Sequence, residues 1–141
     1  MDIPDINVWL ALVDQNHVHH ASAVRYWEET ADSQMAFTRV SMMGLLRLST
    51  QPGVLSRTLT AAEAWRTYHQ LMATPGVTYL AEPASLETRF AALTTETDLP
   101  RRLWTDAYLA AFAMAGGSRL VSFDVDFNRF PGLNFLCLQP V

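Results

Sequence analysis

The stretch from Leu103 to Asp124 constrains the fold more than any other part of the chain. Leu103-Trp104-Thr105-Asp106-Ala107-Tyr108-Leu109-Ala110-Ala111-Phe112-Ala113-Met114-Ala115 reads as a helix of small and apolar side chains. Thr105 is the expected N-cap, since its hydroxyl can accept an orphan N–H of the first turn. Asp106 then sits in that turn, where a negative charge suits the helix dipole. Gly116-Gly117 ends the helix, because glycine enters the left-handed cap conformation freely. Leu120-Val121-Ser122-Phe123 is a short apolar run of the kind found in buried parallel strands. Asp124 falls at its carboxyl end, the edge where open α/β sheets hold their ligands. The stretch therefore predicts one acid at a helix start and another at a strand end.

The rest of the chain alternates in the same way. Ile3-Pro4-Asp5, Met35-Ala36-Phe37, Val77-Thr78-Tyr79-Leu80 and Asn134-Phe135-Leu136-Cys137-Leu138 are expected strands. Pro4 cannot donate to a ladder, which argues against a central position for the first of them. Helices are expected over 7–13 and 21–30, from Thr38 or Ser41 onward, over 60–73 and over 85–95. Asp5 or Asn7 caps the first of these, and Thr60-Ala61-Ala62-Glu63 is a capping box. Gln51-Pro52-Gly53 and Pro75-Gly76 break the chain between elements. Alternation of this kind predicts a three-layer α/β/α sandwich around a mainly parallel sheet of four or five strands. At 141 residues the chain is expected to be one domain spanning 1–141.

Half of the residues are hydrophobic and 17% are charged, so the chain is expected to fold. No apolar run reaches membrane-spanning length. Asp2 and Asp5 stand where a signal peptide needs a basic segment, so none is expected. Cys137 is the single cysteine, which excludes an internal disulfide and fits a reducing cytoplasm. The net charge of −4 counts against a broad phosphate-binding surface but not against a nuclease, whose acids hold metal. His17, His19 and His20 lack the i, i+4 spacing of a helical metal site and are expected to be solvated.

Asp5 and Asp124 each close an apolar run. If the two runs are neighbouring parallel strands, both acids project at one edge, within reach of Asp106. Three carboxylates brought together repel unless a cation joins them. Oxygen ligands without cysteine suit Mg²⁺ or Mn²⁺ better than zinc. Such a metal can activate water and stabilise charge on a phosphate.

Asp5-x-Asn7 after a first strand, Thr105-Asp106-Ala107-Tyr108-Leu109-Ala110-Ala111 and Leu120-Val121-Ser122-Phe123-Asp124 together resemble a PIN domain. With Gly44-Leu45-Leu46-Arg47-Leu48 and Phe130-Pro131-Gly132-Leu133, the chain more narrowly resembles the VapC ribonuclease toxins. The resemblance implies an RNA-cleaving, Mg²⁺- or Mn²⁺-dependent enzyme in which Asp5, Asp106 and Asp124 are the catalytic metal ligands. Asn7 and Thr105 match positions that support the site. The resemblance also implies a small VapB-like antitoxin as partner, and a homodimer. One position departs from the pattern. Many PIN domains carry a glutamate two residues before the glycine of Gly44-Leu45-Leu46-Arg47, and here it is Met42. Asp126 is a candidate to replace part of that charge.

Arg39, Arg101, Arg102 and Arg129 are candidates to guide RNA, and Trp104 to stack on a base. An alternative reading is a PIN-fold binding module weakened or inactivated by Met42. Asp124-x-Asp126 after a hydrophobic run is also similar to haloacid-dehalogenase phosphatases. Those enzymes need a later lysine, and this chain has no lysine at all. Ser-His-Asp hydrolysis lacks its G-x-S-x-G elbow.

Overall fold

The computed structural model of the protein describes residues 1–95 and 98–140. The strands are β1 (Asp2–Pro4), β2 (Met35–Phe37), β3 (Val77–Tyr79), β4 (Arg119–Ser122) and β5 (Phe135–Cys137). All pairings are parallel, and the sheet order is β3-β2-β1-β4-β5. Helices α1 (Ile6–Val13), α2 (His20–Arg25), α3 (Arg39–Ser49), α4 (Ala61–Met72), α5 (Leu86–Thr95) and α6 (Trp104–Gly116) flank it. One apolar cluster joins Val8 and Trp9 of α1, Leu45 of α3 and Tyr68 of α4 to Phe37 of β2. The other joins Leu93 of α5 and Leu109 and Phe112 of α6 to Ile3 and Leu120 of the sheet. The sandwich expected from the alternation is therefore present, with its layers on both sheet faces.

Pro4 does not keep β1 from the centre. Its position within the ladder explains this. Asp2 N–H donates to Gln34 O on the β2 side, while Asp5 N–H donates to Val121 O on the β4 side. Alternate residues bond alternate neighbours, so the donor that Pro4 lacks faces β2, beyond the Asp2–Met35 pairing. Toward β4 the register runs unbroken through Pro4 and Val121. At the opposite edge the buried Asp2 carboxylate receives Arg119 Nε at 2.9 Å, Arg119 Nη2 at 2.8 Å and Tyr26 Oη at 2.8 Å.

Two helix starts follow the expected capping chemistry. Thr38 and Ser41 act together, each side chain bonding the other's backbone N–H. Thr60 and Glu63 do the same ahead of α4. Gly117 takes φ +66° at the end of α6. Two expectations fail. The helix over 21–30 is α2 followed by a π-helical turn, Tyr26–Thr30, in which Tyr26 is buried. Thr105 is not a cap, because α6 already begins at Trp104. The preceding 3₁₀ turn Arg101–Leu103 supplies a partner for the first donor, with Trp104 N–H bonded to Arg101 O. A side-chain cap is not needed there.

Among the described residues, no helix is long and apolar enough to cross a membrane.

Candidate active site

A parallel sheet brings every strand's carboxyl end to one edge, and Asp5 and Asp124 follow β1 and β4, which are neighbours. Asp5 serves two purposes. Its side chain caps α1, accepting Ile6 N–H at 2.7 Å on Oδ1. Its other oxygen accepts the Ser122 hydroxyl at 2.8 Å. Ser122 is fully buried and is the hub of this edge. Its Oγ also receives Asn7 Nδ2 at 3.0 Å and Asp124 N–H at 3.0 Å. A hydroxyl has one proton, and the shorter contact to Asp5 takes it rather than the 3.3 Å contact to Asn7 Oδ1. Asn7 Oδ1 instead accepts Phe123 N–H at 3.3 Å. Asn7 thus supports the edge by holding the end of β4 against the start of α1.

The acids perturb one another. Burial pushes the Asp5 carboxyl up, against hydrogen bonds from Ser122 and Ile6, and the Asp124 charge adds to the push. Asp106 is raised from 3.8 to about 7, first by burial and then by the charges of Asp5, Asp124 and Asp126, with Arg102 opposing. The three expected acids therefore share one electrostatic neighbourhood, at the start of α6 and the ends of β1 and β4. They are not drawn into a cage. Among the described residues, no group of three or more His, Cys, Asp or Glu side chains is close enough to hold an ion. This donor set still fits a hard cation. Mg²⁺ is usually held by one or two carboxylates with water and substrate phosphate completing its shell, not by an all-protein cage.

The PIN domain family model matches residues 3–133. The chain belongs to the PIN-domain family. Within that family it falls among the VapC ribonucleases. Ribonuclease VapC41 of Mycobacterium tuberculosis is 38% identical over 141 residues, covering 95% of this chain and 96% of the relative. Ribonuclease VapC38 of the same species is 33% identical, covering 88% and 85%. Among solved structures, Mycobacterium tuberculosis VapC20, described as a toxin that cleaves the sarcin–ricin loop, superposes with TM-score 0.68. Its identity is 17%, with 95% of this chain and 98% of that one covered. VapBC2 from Rickettsia felis, solved on a promoter DNA fragment, gives TM-score 0.70 at 12% identity, covering 98% of each chain.

The other expected PIN-site residues fall into two groups. Asn7 belongs to the hydrogen-bonded edge. Thr105 is exposed on the first turn of α6 and has no hydrogen bond to the acids among the described residues. Asp126 is committed elsewhere. Its carboxylate pairs with Arg102 Nη1 at 2.8 Å, and its N–H donates to Asp124 Oδ1 at 2.9 Å. Arg102 is correspondingly less free for RNA than expected. Trp104 is 47% exposed and meets Phe90 edge-on at 5.8 Å. Arg39, Arg101 and Arg129 are exposed.

The histidines are not solvated as expected; all three are half-buried. His20 Nδ1 donates to Ala11 O at 2.7 Å, and His17 Nδ1 accepts His19 N–H at 3.0 Å. The His19 ring lies flat on Phe123 at 4.6 Å. Ser122 and this His19–Phe123 stack are the parts of the site missed by sequence reasoning. The polar residue inside the apolar run 120–123 was the available clue for Ser122.

Met42, at the position of the usual PIN glutamate, is 6% exposed and packs in the core cluster of α1, α3 and α4. Its sulfur accepts Arg39 Nη1 at 3.3 Å. Met42→Glu is expected to bury a carboxylate beside core side chains, with Arg39 only partly compensating. The cost is on the order of 1–3 kcal/mol, read as a lower melting temperature. Mn²⁺ affinity is expected to stay unchanged. Tighter Mn²⁺ binding with undiminished stability in a titration of this variant would show instead that the position faces the metal.

Proposed function

We propose that this protein is a Mg²⁺- or Mn²⁺-dependent endoribonuclease, the toxin of a toxin–antitoxin pair, acting as a single cytoplasmic domain over 1–141. One observation carries the reading. Ser122 Oγ donates to Asp5 and accepts the Asp124 N–H, so one hydroxyl ties two acids together while Asp106 is held up near 7 beside them. Asp5, Asp106 and Asp124 would hold the ion. When bound, such an ion supplies an activated water and offsets charge developing on the scissile phosphate. The protein's own groups do the rest. Ser122 fixes the Asp5 carboxylate against the Asp124 backbone, and Asn7 braces Ser122 and the Phe123 backbone. Arg102, held by Asp126, places a positive charge at the rim, where it eases ionisation of Asp106. The VapC relatives named as ribonucleases support RNA as the substrate class.

The partner proposed is a small VapB-like antitoxin, with self-association into a homodimer. A groove of about 540 Å³ between α3 and α4, lined by Met43, Leu46, Ala64 and Trp65, supports a protein partner. Ile6 and Thr105 reach its lining, next in sequence to Asp5 and Asp106. Met43 is 55% exposed and Trp65 45% exposed, and the two share this groove as a contiguous apolar patch of the kind that marks protein contacts. Co-expression with the product of an adjacent small gene tests the antitoxin, and light scattering tests the dimer.

The activity is tested with a labelled single-stranded RNA. Cleavage is expected with Mg²⁺ or Mn²⁺, complete loss in EDTA, and recovery on adding excess Mn²⁺. Cleavage persisting in EDTA would defeat the metal-dependent reading. Absence of cleavage at saturating Mn²⁺ would favour the rival, a PIN-fold binding module.

A further inference from the structure

We infer that Arg39, set over the Tyr79 ring, is a nucleotide-binding subsite for single-stranded RNA on the same sheet edge as the acids; this rests on the RNA-cleaving reading above. Arg39 opens α3 directly beyond β2, and Tyr79 is the last residue of β3, paired in register with Phe37 of β2. Neighbouring strands are about 4.8 Å apart. The carboxyl edge therefore presents Tyr79, Arg39, Asp5 and Asp124 in succession along β3-β2-β1-β4. A strand of RNA following that edge passes Arg39 at the β3–β2 end and the carboxylates at the β1–β4 end.

The guanidinium is held in place and is not neutralised. Its central carbon lies 4.6 Å from the Tyr79 ring centroid, and Nη1 donates to Met42 Sδ at 3.3 Å. Tyr79 packs against the core, so Arg39 covers its solvent side. A thioether is a weak acceptor and carries no charge. Among the described residues, no carboxylate pairs with Arg39, whereas Arg57, Arg102 and Arg119 each have one. Arg39 is thus an exposed cation anchored over an aromatic ring, with most of its N–H donors unused. An exposed guanidinium can stack on a base and give its N–H edge to a phosphate, the two contacts by which arginine holds unpaired nucleotides.

Binding is measured in EDTA, so that RNA is not cut, by fluorescence anisotropy of a labelled single-stranded oligoribonucleotide over a range of KCl. Arg39→Ala is expected to weaken binding roughly tenfold. It is also expected to lower the slope of log affinity against log salt by about 0.7, the share of one phosphate contact on a single strand. Arg39→Lys keeps the charge and should keep the slope, but recovers the affinity only in part, because an ammonium does not stack. Tyr79→Leu keeps Arg39 and frees its plane, and should weaken binding with the slope intact. Melting temperatures of the two Arg39 variants should match the parent within a few degrees, since Arg39 is exposed, while Tyr79→Leu, which loses core contact, is compared at a temperature where its melting curve shows it folded. Parental affinity and slope in Arg39→Ala would overturn the subsite, and full rescue by Arg39→Lys would overturn the stacked geometry. Cleavage by the unaltered protein in Mn²⁺ reports separately on the ribonuclease reading. A protein that cuts RNA while Arg39→Ala binds normally loses only the subsite. A protein that binds through Arg39 without cutting loses only the nuclease.

Discussion

Asp106→Asn is expected to cut RNA cleavage by a factor on the order of 10²–10³ while raising thermal stability at pH 8. The loss of activity follows from the carboxylate's place beside Asp5 and Asp124, where removing one ligand removes several kcal/mol of charge stabilisation in the transition state. The gain in stability has the opposite origin. Asp106 is raised from 3.8 to about 7 by burial and by the neighbouring acids. The folded state therefore keeps a proton that the unfolded chain has already released. Stability then falls as pH rises from about 4 to about 7, and the penalty persists above that. Asparagine has the same shape and does not titrate. The increase in melting temperature should be larger at pH 8 than at pH 5. Undiminished cleavage would remove Asp106 from the site. A lower melting temperature at pH 8 would show that its carboxylate is stabilised by partners rather than strained by them.

Much of this arrangement was legible in the residues, and most of what was not depends on contacts between segments separated in sequence. Met35–Phe37 and the strand before Asp124 stand out because short apolar runs bounded by polar residues have few other places to go in a chain of this length. The acids after β1 and β4 could be placed at one edge because parallel strands share their direction. Ser122 could not be assigned its role in this way. Its bonds run to Asp5 and Asn7, more than a hundred residues away, and depend on the register of β1 against β4. The His19–Phe123 stack and the Arg102–Asp126 pair are likewise contacts between distant segments. Asp126 read as a spare metal ligand because its sequence neighbourhood is acidic, while its actual partner is a cation from the turn before α6. Pro4 misled in the other direction. The rule that proline avoids central strands concerns one missing donor, and here that donor faces the neighbour with which β1 pairs least. Thr105 failed as a cap because a 3₁₀ turn, invisible in the local pattern, had already met the helix's first need.

Mn²⁺ binding is expected to release a proton and to tighten with pH through the range around 7. A carboxylate must be ionised to hold a metal, and Asp106 at about 7 is mostly protonated at pH 6 and mostly ionised at pH 8. For a single group with that midpoint, the ionised fraction rises about tenfold between these two pH values, and the apparent affinity rises with it. Burial raises Asp5 as well, so its contribution to the release has the same sign. Calorimetry in two buffers of different ionisation enthalpy reads the proton release directly, and the same titrations give the affinities. The Asp106→Asn variant separates this linkage from a general effect of pH. It should bind Mn²⁺ more weakly than the unaltered protein at pH 8 and lose most of the difference between pH 6 and pH 8. Equal affinity of the unaltered protein at both pH values would show that Asp106 does not give up a proton to the metal. A variant that retained the full pH dependence would move the titrating group to another acid of the edge.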